Sequence, residues 1–195
     1  MIRALLLAGG TASRFGGAKL LAVLPGDDVP IGVRAARSLI AGAGNALAVV
    51  RPGDDALAAA LTGAGCEVLV SEACARGMGA SLAAAVSASR SADGWLVALA
   101  DMPSIAPATH AAVKASLEAG AIVAAAVDAA DGRRGHPVGF AGRLGDELAA
   151  LDGEPGARPI IERYGRDFVA VRVADAGIHR DIDTRDDLRN WRRGT

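Results

Sequence analysis

Aromatic side chains are scarce, at three phenylalanines, two tryptophans and one tyrosine in 195 residues. That is too few for the stacking platforms on which single-stranded nucleic acid is held. Neither sign of charge dominates: 21 basic side chains meet 22 acidic ones, for a formal net charge of −1. A general attraction to nucleic acid or to an anionic membrane is thereby excluded, and any anion site must be local. Cysteine is limited to Cys66 and Cys74. Their spacing suits no metal finger and one pair is no disulfide framework, so both are expected as reduced thiols of a cytoplasmic protein. No run approaches the ~18 consecutive apolar residues that cross a bilayer. The first apolar run, Ala4 to Ala8, is five residues long, short of the roughly 7–15 of a signal peptide's core. It passes directly into glycines, and reads as a buried strand.

What the chain does have is aliphatic residues and glycine. Hydrophobic residues make up 51% of it, and the length suits one domain over residues 1–195. The most informative stretch is Leu5-Leu6-Leu7-Ala8-Gly9-Gly10-Thr11-Ala12-Ser13-Arg14-Phe15-Gly16-Gly17-Ala18-Lys19. Strand-like apolar residues give way to four glycines within nine positions, with Arg14 and Lys19 among them. Glycines let successive backbone N–H groups turn toward one anion, and the two cations add the charge that peptide dipoles lack. The pattern predicts a phosphate cradle. It is not a P-loop, because Ala18 separates Gly17 from Lys19 and Leu20 stands where the magnesium-binding hydroxyl belongs. Nor does the spacing of Gly9-Gly10 and Gly16-Gly17 give a dinucleotide fingerprint.

Beyond this loop the pattern alternates. A helix is expected from Ile31 to Ala41, a strand over Ala46–Val50, a helix capped by Asp54 and running to Leu61, and a strand over Glu67–Val70. The turn Arg76-Gly77-Met78-Gly79-Ala80-Ser81-Leu82 opens a helix to about Ser89, with Met78 expected in the core. Such alternation predicts an α/β fold, a three-layer α/β/α arrangement around a mostly parallel sheet, with ligands at the C-terminal strand ends. Trp95–Ala100 reads as a strand buried on both faces, ending in Asp101-Met102-Pro103. A carboxylate at such a tip costs several kcal/mol if unpaired, so Asp101 calls for a cation, and Mg2+ shared with nucleotide phosphates is the economical partner. Ser104 is expected to cap a helix from Ile105 to Ala119. A strand over Ala121–Val127, a polar loop over Asp128–Arg134 and the block Gly135-His136-Pro137-Val138-Gly139-Phe140 follow. A helix within Asp152–Tyr164, a strand over Phe168–Val173 and a last helix capped by Thr184 and Asp187 and ending near Arg192 complete the chain.

The pattern L-A-G-G-x-x-x-R-F-G-x-x-K resembles the nucleotide-binding loop of the MobA/MocA-like nucleotidyltransferases, which attach a nucleotide to molybdopterin cofactors. Four further blocks occur in the family's order: G-M-G-A-S-L, L-A-D-M-P, G-H-P-V-G-F and D-I-D-T-x-x-D-L. The resemblance implies a Rossmann-like fold of the nucleotide-diphospho-sugar transferase type. It implies that Leu7, Ala8, Gly9, Gly10, Arg14, Lys19, Gly79 and Ser81 bind the nucleotide, and that Arg14, Lys19 and Asp101 are the catalytic residues. Asp183 would join Asp101 on Mg2+, with Asp181 the alternative. His136 and Arg158 would face the acceptor, although His136 could equally hold the turn before Pro137 and Arg158 could be a plain surface residue. Glu154 stands where the family usually has aspartate. The blocks favour the cytidylyl-type branch, yet Leu7-Ala8-Gly9-Gly10 is the form usual in guanylyl enzymes, so CTP is favoured and GTP stays open. The implied partners are a nucleoside triphosphate, a phosphorylated acceptor of molybdopterin type and a molybdoenzyme chaperone, with no nucleic acid or membrane. A sugar or polyol phosphate acceptor and a nicotinamide-dependent oxidoreductase on the same fold are the alternatives.

Overall fold

The computed structural model describes residues 1–10, 15–165 and 167–191. Seven strands form one sheet: β1 (Ile2–Leu7), β2 (Leu47–Val50), β3 (Glu67–Val70), β4 (Gly94–Leu99), β5 (Val123–Asp128), β6 (Arg134–Ala141) and β7 (Phe168–Val173). Their spatial order is β3-β2-β1-β4-β6-β5-β7. All neighbours are parallel except β6, which runs antiparallel to both β4 and β5. The segment between β5 and β6 is too short for a crossover, which takes about a dozen residues, so this pair closes as a hairpin.

Side chains alternate between the two faces, as the pleat requires. Ala4 and Leu6 of β1, Ala48 and Val50 of β2, and Leu96 and Ala98 of β4 join one core with helices α1 (Ile31–Ala43), α2 (Asp55–Gly63) and α4 (Pro107–Glu118). Leu5 and Leu7, Leu47 and Val49, and Trp95 and Val97 join the other, under α3 (Met78–Ala88), α5 (Gly145–Ala149) and α6 (Arg158–Arg163). Three layers result, with β1 and β4 covered on both faces. Abundant alanine lets the helices lie close to the sheet. Gly42 of α1 shows how close: a Cβ there would stand 2.3 Å from the Pro107 carbonyl oxygen of α4.

Two of the expected caps are replaced by other partners, one local and one tertiary. Asp54 occupies the N-cap position of α2, but its carboxylate pairs with Arg51, Nε to Oδ2 3.2 Å. Ser104 caps no helix; α4 begins at Pro107, and the free Ala106 N–H donates to Asp175 Oδ2 at 2.9 Å from across the fold. The helix expected within Asp152–Tyr164 shortens to α6, because Gly153 and Gly156 take positive φ and turn the chain. At the C-terminal helix α7 (Arg185–Arg189) the capping box forms as read. Asp187 N–H donates to Thr184 Oγ1 at 3.1 Å, and Thr184 N–H donates to Asp187 Oδ2 at 2.7 Å.

His110 lies on α4 in the core, 2% exposed, and its Nδ1 has no hydrogen-bond partner among the described residues. Burial pushes its pKa down to about 4, against an opposing pull from the Asp175 carboxylate. The imidazole is therefore neutral in the folded protein, while in the unfolded chain it takes a proton near pH 6.5. As pH falls below 6.5 the unfolded state gains protons that the folded state refuses, and stability is lost until about pH 4. Between pH 7 and pH 5 this group is expected to cost about 2 kcal/mol. Urea unfolding at the two pH values checks it: His110→Leu should lose less stability than the wild type over that interval, and equal losses would count against the assignment.

Candidate active site

Strand order reverses direction at β1, with β2 and β3 on one side and β4 on the other. In open α/β sheets the crevice beyond the strand ends at such a point is where ligands bind. Leu7 and Leu99 are register partners there, so the glycine loop after β1 and Asp101 after β4 leave the sheet side by side. A cleft of about 410 Å³ opens between them, and Leu7, Ala8, Gly9, Gly10, Lys19, Ser81 and Asp101 all line it.

At the cleft's edge Lys19 is buried. Its Nζ donates to Asp101 Oδ2 at 2.8 Å and to Asp183 Oδ1 at 3.4 Å. Positions 82 and 164 residues from Lys19 are thus gathered onto one ammonium. Two contacts bring Asp183 there. Ile182 N–H donates to the Asp101 carbonyl at 3.0 Å, and Gly177 packs so closely on Ser104 that a Cβ would stand 2.5 Å from its carbonyl oxygen. Asp181 belongs to the same group. Burial holds its carboxyl above the usual range, with the charges of Asp183 and Asp101 adding to the rise and Lys19 opposing it. Of the two C-terminal candidates, Asp183 is the one seen in an ion pair with Lys19.

Carboxylate oxygens are the donors a small divalent cation takes, and Asp101 and Asp183, which meet on Lys19, are of that chemistry. Among the described residues, the group of three ligand-type side chains with ligand atoms within 4.8 Å of one another lies elsewhere, at Asp128, Asp131 and His179, with Asp131 exposed.

Of the remaining sequence-derived residues, Arg14 lies outside the described residues. Ser81 Oγ donates to the Gly77 carbonyl at 2.9 Å, so its hydroxyl serves the helix as well as the cleft wall. Gly79 packs away from the cleft: its N–H donates to the Gly153 carbonyl at 2.7 Å, and a Cβ would meet Asp152 O at 2.8 Å. Its neighbour Gly77 lines the cleft instead. Met78 is not a core residue; it is 41% exposed, at the junction of the cleft and a second cavity.

That second cavity, of about 320 Å³, shares Leu7, Met78 and Leu99 with the first. His136 and Arg158 both line it, with Arg134 and the apolar side chains of Val138, Phe140 and Ile161. His136 forms a hydrogen bond with the Val97 backbone, and burial pushes its pKa down, with the Val97 bond and the Asp101 charge opposing the shift. Its Nδ1 is buried without a partner among the described residues. Arg158 is largely exposed and pairs with Glu162, Nε to Oε1 3.0 Å. Arg158 is thus a surface arginine at the rim of that cavity.

Two residues escaped the sequence reading. Arg51 lines the first cleft, as does Glu154, which the sequence singles out without a role. Arg185 reaches from α7 to the glycine loop, where its Nε donates to the Phe15 carbonyl at 3.0 Å and its guanidinium lies 5.5 Å from the Phe15 ring centroid. Only tertiary structure brings Arg185 to that loop, 170 residues away.

The family model of the MobA-like NTP transferase domain matches residues 4–168. The chain belongs to that family. Comparison with curated proteins gives no match. Among solved structures, this MobA-like domain is similar to Rv0371c from Mycobacterium tuberculosis H37Rv, at 30% identity over 96% of this chain and 95% of that one, TM-score 0.79. A manganese complex of Rv0371C aligns at 25% identity over 96% and 95%, TM-score 0.76. A nucleotidyl transferase from Methanothermobacter thermautotroptrophicus, Mth528, shares the fold at 21% identity over 96% and 94%, TM-score 0.78. So does a CMP:2-keto-3-deoxy-manno-octonic acid synthetase complexed with CTP, at 13% identity over 97% and 96%, TM-score 0.74. The MobA-like domain is a nucleotidyltransferase built on the nucleotide-diphospho-sugar transferase fold. Among its described residues, no helix is long and apolar enough to cross a membrane.

Proposed function

We propose that this MobA-like domain transfers a nucleoside monophosphate, from CTP in preference to GTP, to a phosphorylated acceptor of molybdopterin type, and that it does so with Mg2+. The observation that carries the reading is the meeting of Lys19, Asp101 and Asp183 at the mouth of β1 and β4, beside a second cavity that opens from the first. An oxygen of the acceptor phosphate attacks the α-phosphorus; the new P–O bond forms as the bond to the β-phosphate oxygen breaks, and pyrophosphate leaves with that electron pair. The attacking phosphate is already ionised near neutral pH, so no general base is needed. His136, kept neutral by burial, is suited to a hydrogen bond with the acceptor rather than to proton removal.

Loop amides and Lys19 hold the triphosphate, and Arg14 is assigned the same task from the loop's pattern. Asp101 and Asp183 would hold Mg2+, which when bound offsets charge on the transferred and leaving phosphates. Position and charge, with no covalent protein nucleophile, carry the catalysis. The second cavity suits the acceptor, since Phe140, Val138 and Ile161 offer apolar walls to a ring system while Arg134 and Arg158 can meet a phosphate.

The choice of CTP gains support from Gly9. A Cβ at this position would stand 2.3 Å from Cys74 Sγ and 2.8 Å from Cys74 Cβ. The first glycine of Leu7-Ala8-Gly9-Gly10 is therefore demanded by a neighbouring thiol, and the departure from L-A-A-G loses its weight as a sign of guanine.

Pyrophosphate release from each of the four ribonucleoside triphosphates with Mg2+, in the presence of molybdenum cofactor or of sugar and polyol phosphates, tests the reading. Release from CTP with molybdenum cofactor is expected. Release only with a sugar or polyol phosphate would replace the acceptor, and no release with any pair would overturn the proposal.

A further inference from the structure

Lys19 is an odd neighbour for a metal site. Its ammonium is buried against Asp101 and Asp183, the two carboxylates that a divalent cation would need, and Asp181 adds a third acid to the group. Like charges at this spacing repel, and a cation among them relieves the repulsion whether it is an ammonium or a metal ion. The two compete for the same negative charge: an ammonium 2.8 Å from Asp101 Oδ2 already offsets it and repels a second cation brought to the same carboxylates. On the other side Lys19 lines the cleft that opens beside the glycine loop, so a triphosphate there would offer it a competing anion.

From this arrangement we infer that Lys19 is the resident counter-ion of the Asp101–Asp183 pair, and that it makes divalent-metal binding contingent on nucleotide. The inference rests on the metal and nucleotide assignments proposed above and adds an order to them. In the nucleotide-free enzyme the ammonium occupies the carboxylates and metal binds weakly. Phosphate oxygens draw the ammonium away, and the carboxylates become available to the metal as the triphosphate arrives. A long, flexible side chain with a compact charge suits such a transfer better than the rigid fork of arginine would. Linkage makes the effect reciprocal, so metal and nucleotide each raise the other's affinity, with Lys19 carrying part of the coupling.

The test uses Mn2+ alone, without nucleotide, and reads binding by electron paramagnetic resonance and by the shift in melting temperature. Lys19→Met is expected to bind Mn2+ at least tenfold more tightly than the wild type, and Lys19→Gln to show a smaller gain of the same sign. In EDTA the Lys19→Met protein should melt below the wild type, since its acids have lost a counter-ion, and Mn2+ should restore more of its stability than it adds to the wild type. Adding Asp101→Asn to Lys19→Met should abolish the gain. Equal Mn2+ affinity in the wild type and both Lys19 variants, with Asp101→Asn weakening all of them, would overturn the inference and leave the metal assignment standing. If Asp101→Asn changes Mn2+ binding in no background, the metal assignment itself falls. A Lys19→Met protein that is unfolded in EDTA and stays unfolded in Mn2+ also counts against the inference, because the metal should replace the missing charge.

Discussion

Asp101→Asn is expected to lower pyrophosphate release by about two to three orders of magnitude, with little change in the folded state. The side chain keeps its size, and the backbone carbonyl of residue 101 still accepts from Ile182 N–H, so the C-terminal segment stays in place. What disappears is charge. Lys19 loses its 2.8 Å partner and is left with Asp183 at 3.4 Å, and a divalent cation loses a negatively charged ligand. A hundredfold loss in rate corresponds to roughly 2.7 kcal/mol of transition-state stabilisation, which is reasonable for one charged ligand in a site that works by electrostatics. The loss should lie mainly in kcat, because the carboxylate acts on charge that shifts as pyrophosphate departs. Asp183→Asn should cost less, since its carboxylate is more exposed and lies farther from Lys19. Steady-state rates at saturating CTP and Mg2+, with the melting temperature measured alongside, decide it. Turnover like that of the wild type in a folded Asp101→Asn protein would remove Asp101 from the mechanism.

The residues at the heart of this prediction could be read without a structure, and the reason is physical. Apolar runs such as Leu5–Leu7 and Trp95–Leu99 have one place to go in a chain of this length, the doubly covered centre of a sheet, and a glycine loop and a carboxylate directly after them must meet at its edge. The antiparallel direction of β6 was implicit in the brevity of the loop between Asp128 and Arg134, yet alternation alone suggests continued parallel pairing. Helix caps were less legible. Asp54 and Ser104 have the right chemistry for their positions, but Arg51 and Asp175 supply other partners. A cap is worth about 1 kcal/mol and such pairing can match it. Arg185 was illegible for a different cause: nothing local distinguishes it from Arg189, and its hold on the Phe15 carbonyl exists only once α7 has folded back over the glycine loop. The glycines were legible as turns but not as contacts. Gly9, Gly79 and Gly135 are glycine because another part of the chain occupies the space a Cβ would fill.

Gly135→Ala is expected to disable the enzyme from a position that touches neither nucleotide nor metal by assignment. A Cβ at this site would lie 2.2 Å from the Ile178 carbonyl oxygen and 2.8 Å from its carbonyl carbon. Those are backbone atoms of the turn Ala176–His179, which leads directly into Asp181 and Asp183. A rotamer change cannot relieve the overlap. Either the Gly135 stretch of β6 or the turn must move; β6 is paired to both β4 and β5 from Val138 to Phe140 and to β5 at Arg134, with an irregular stretch between. A turn that yields carries Asp183 with it relative to Asp101, which follows β4. Overpacking of this kind costs about 1–3 kcal/mol, or a fall of several degrees in melting temperature for a chain of this size. The larger effect should be on function, because a shift of about 1 Å in one ligand can cost roughly a hundredfold in rate. Weakened Mn2+ binding in a protein that still folds is the expected signature. Full activity and an unchanged melting temperature in Gly135→Ala would mean that the turn gives way without carrying Asp183 along, and that the bond from Ile182 to Asp101 alone holds the two carboxylates together.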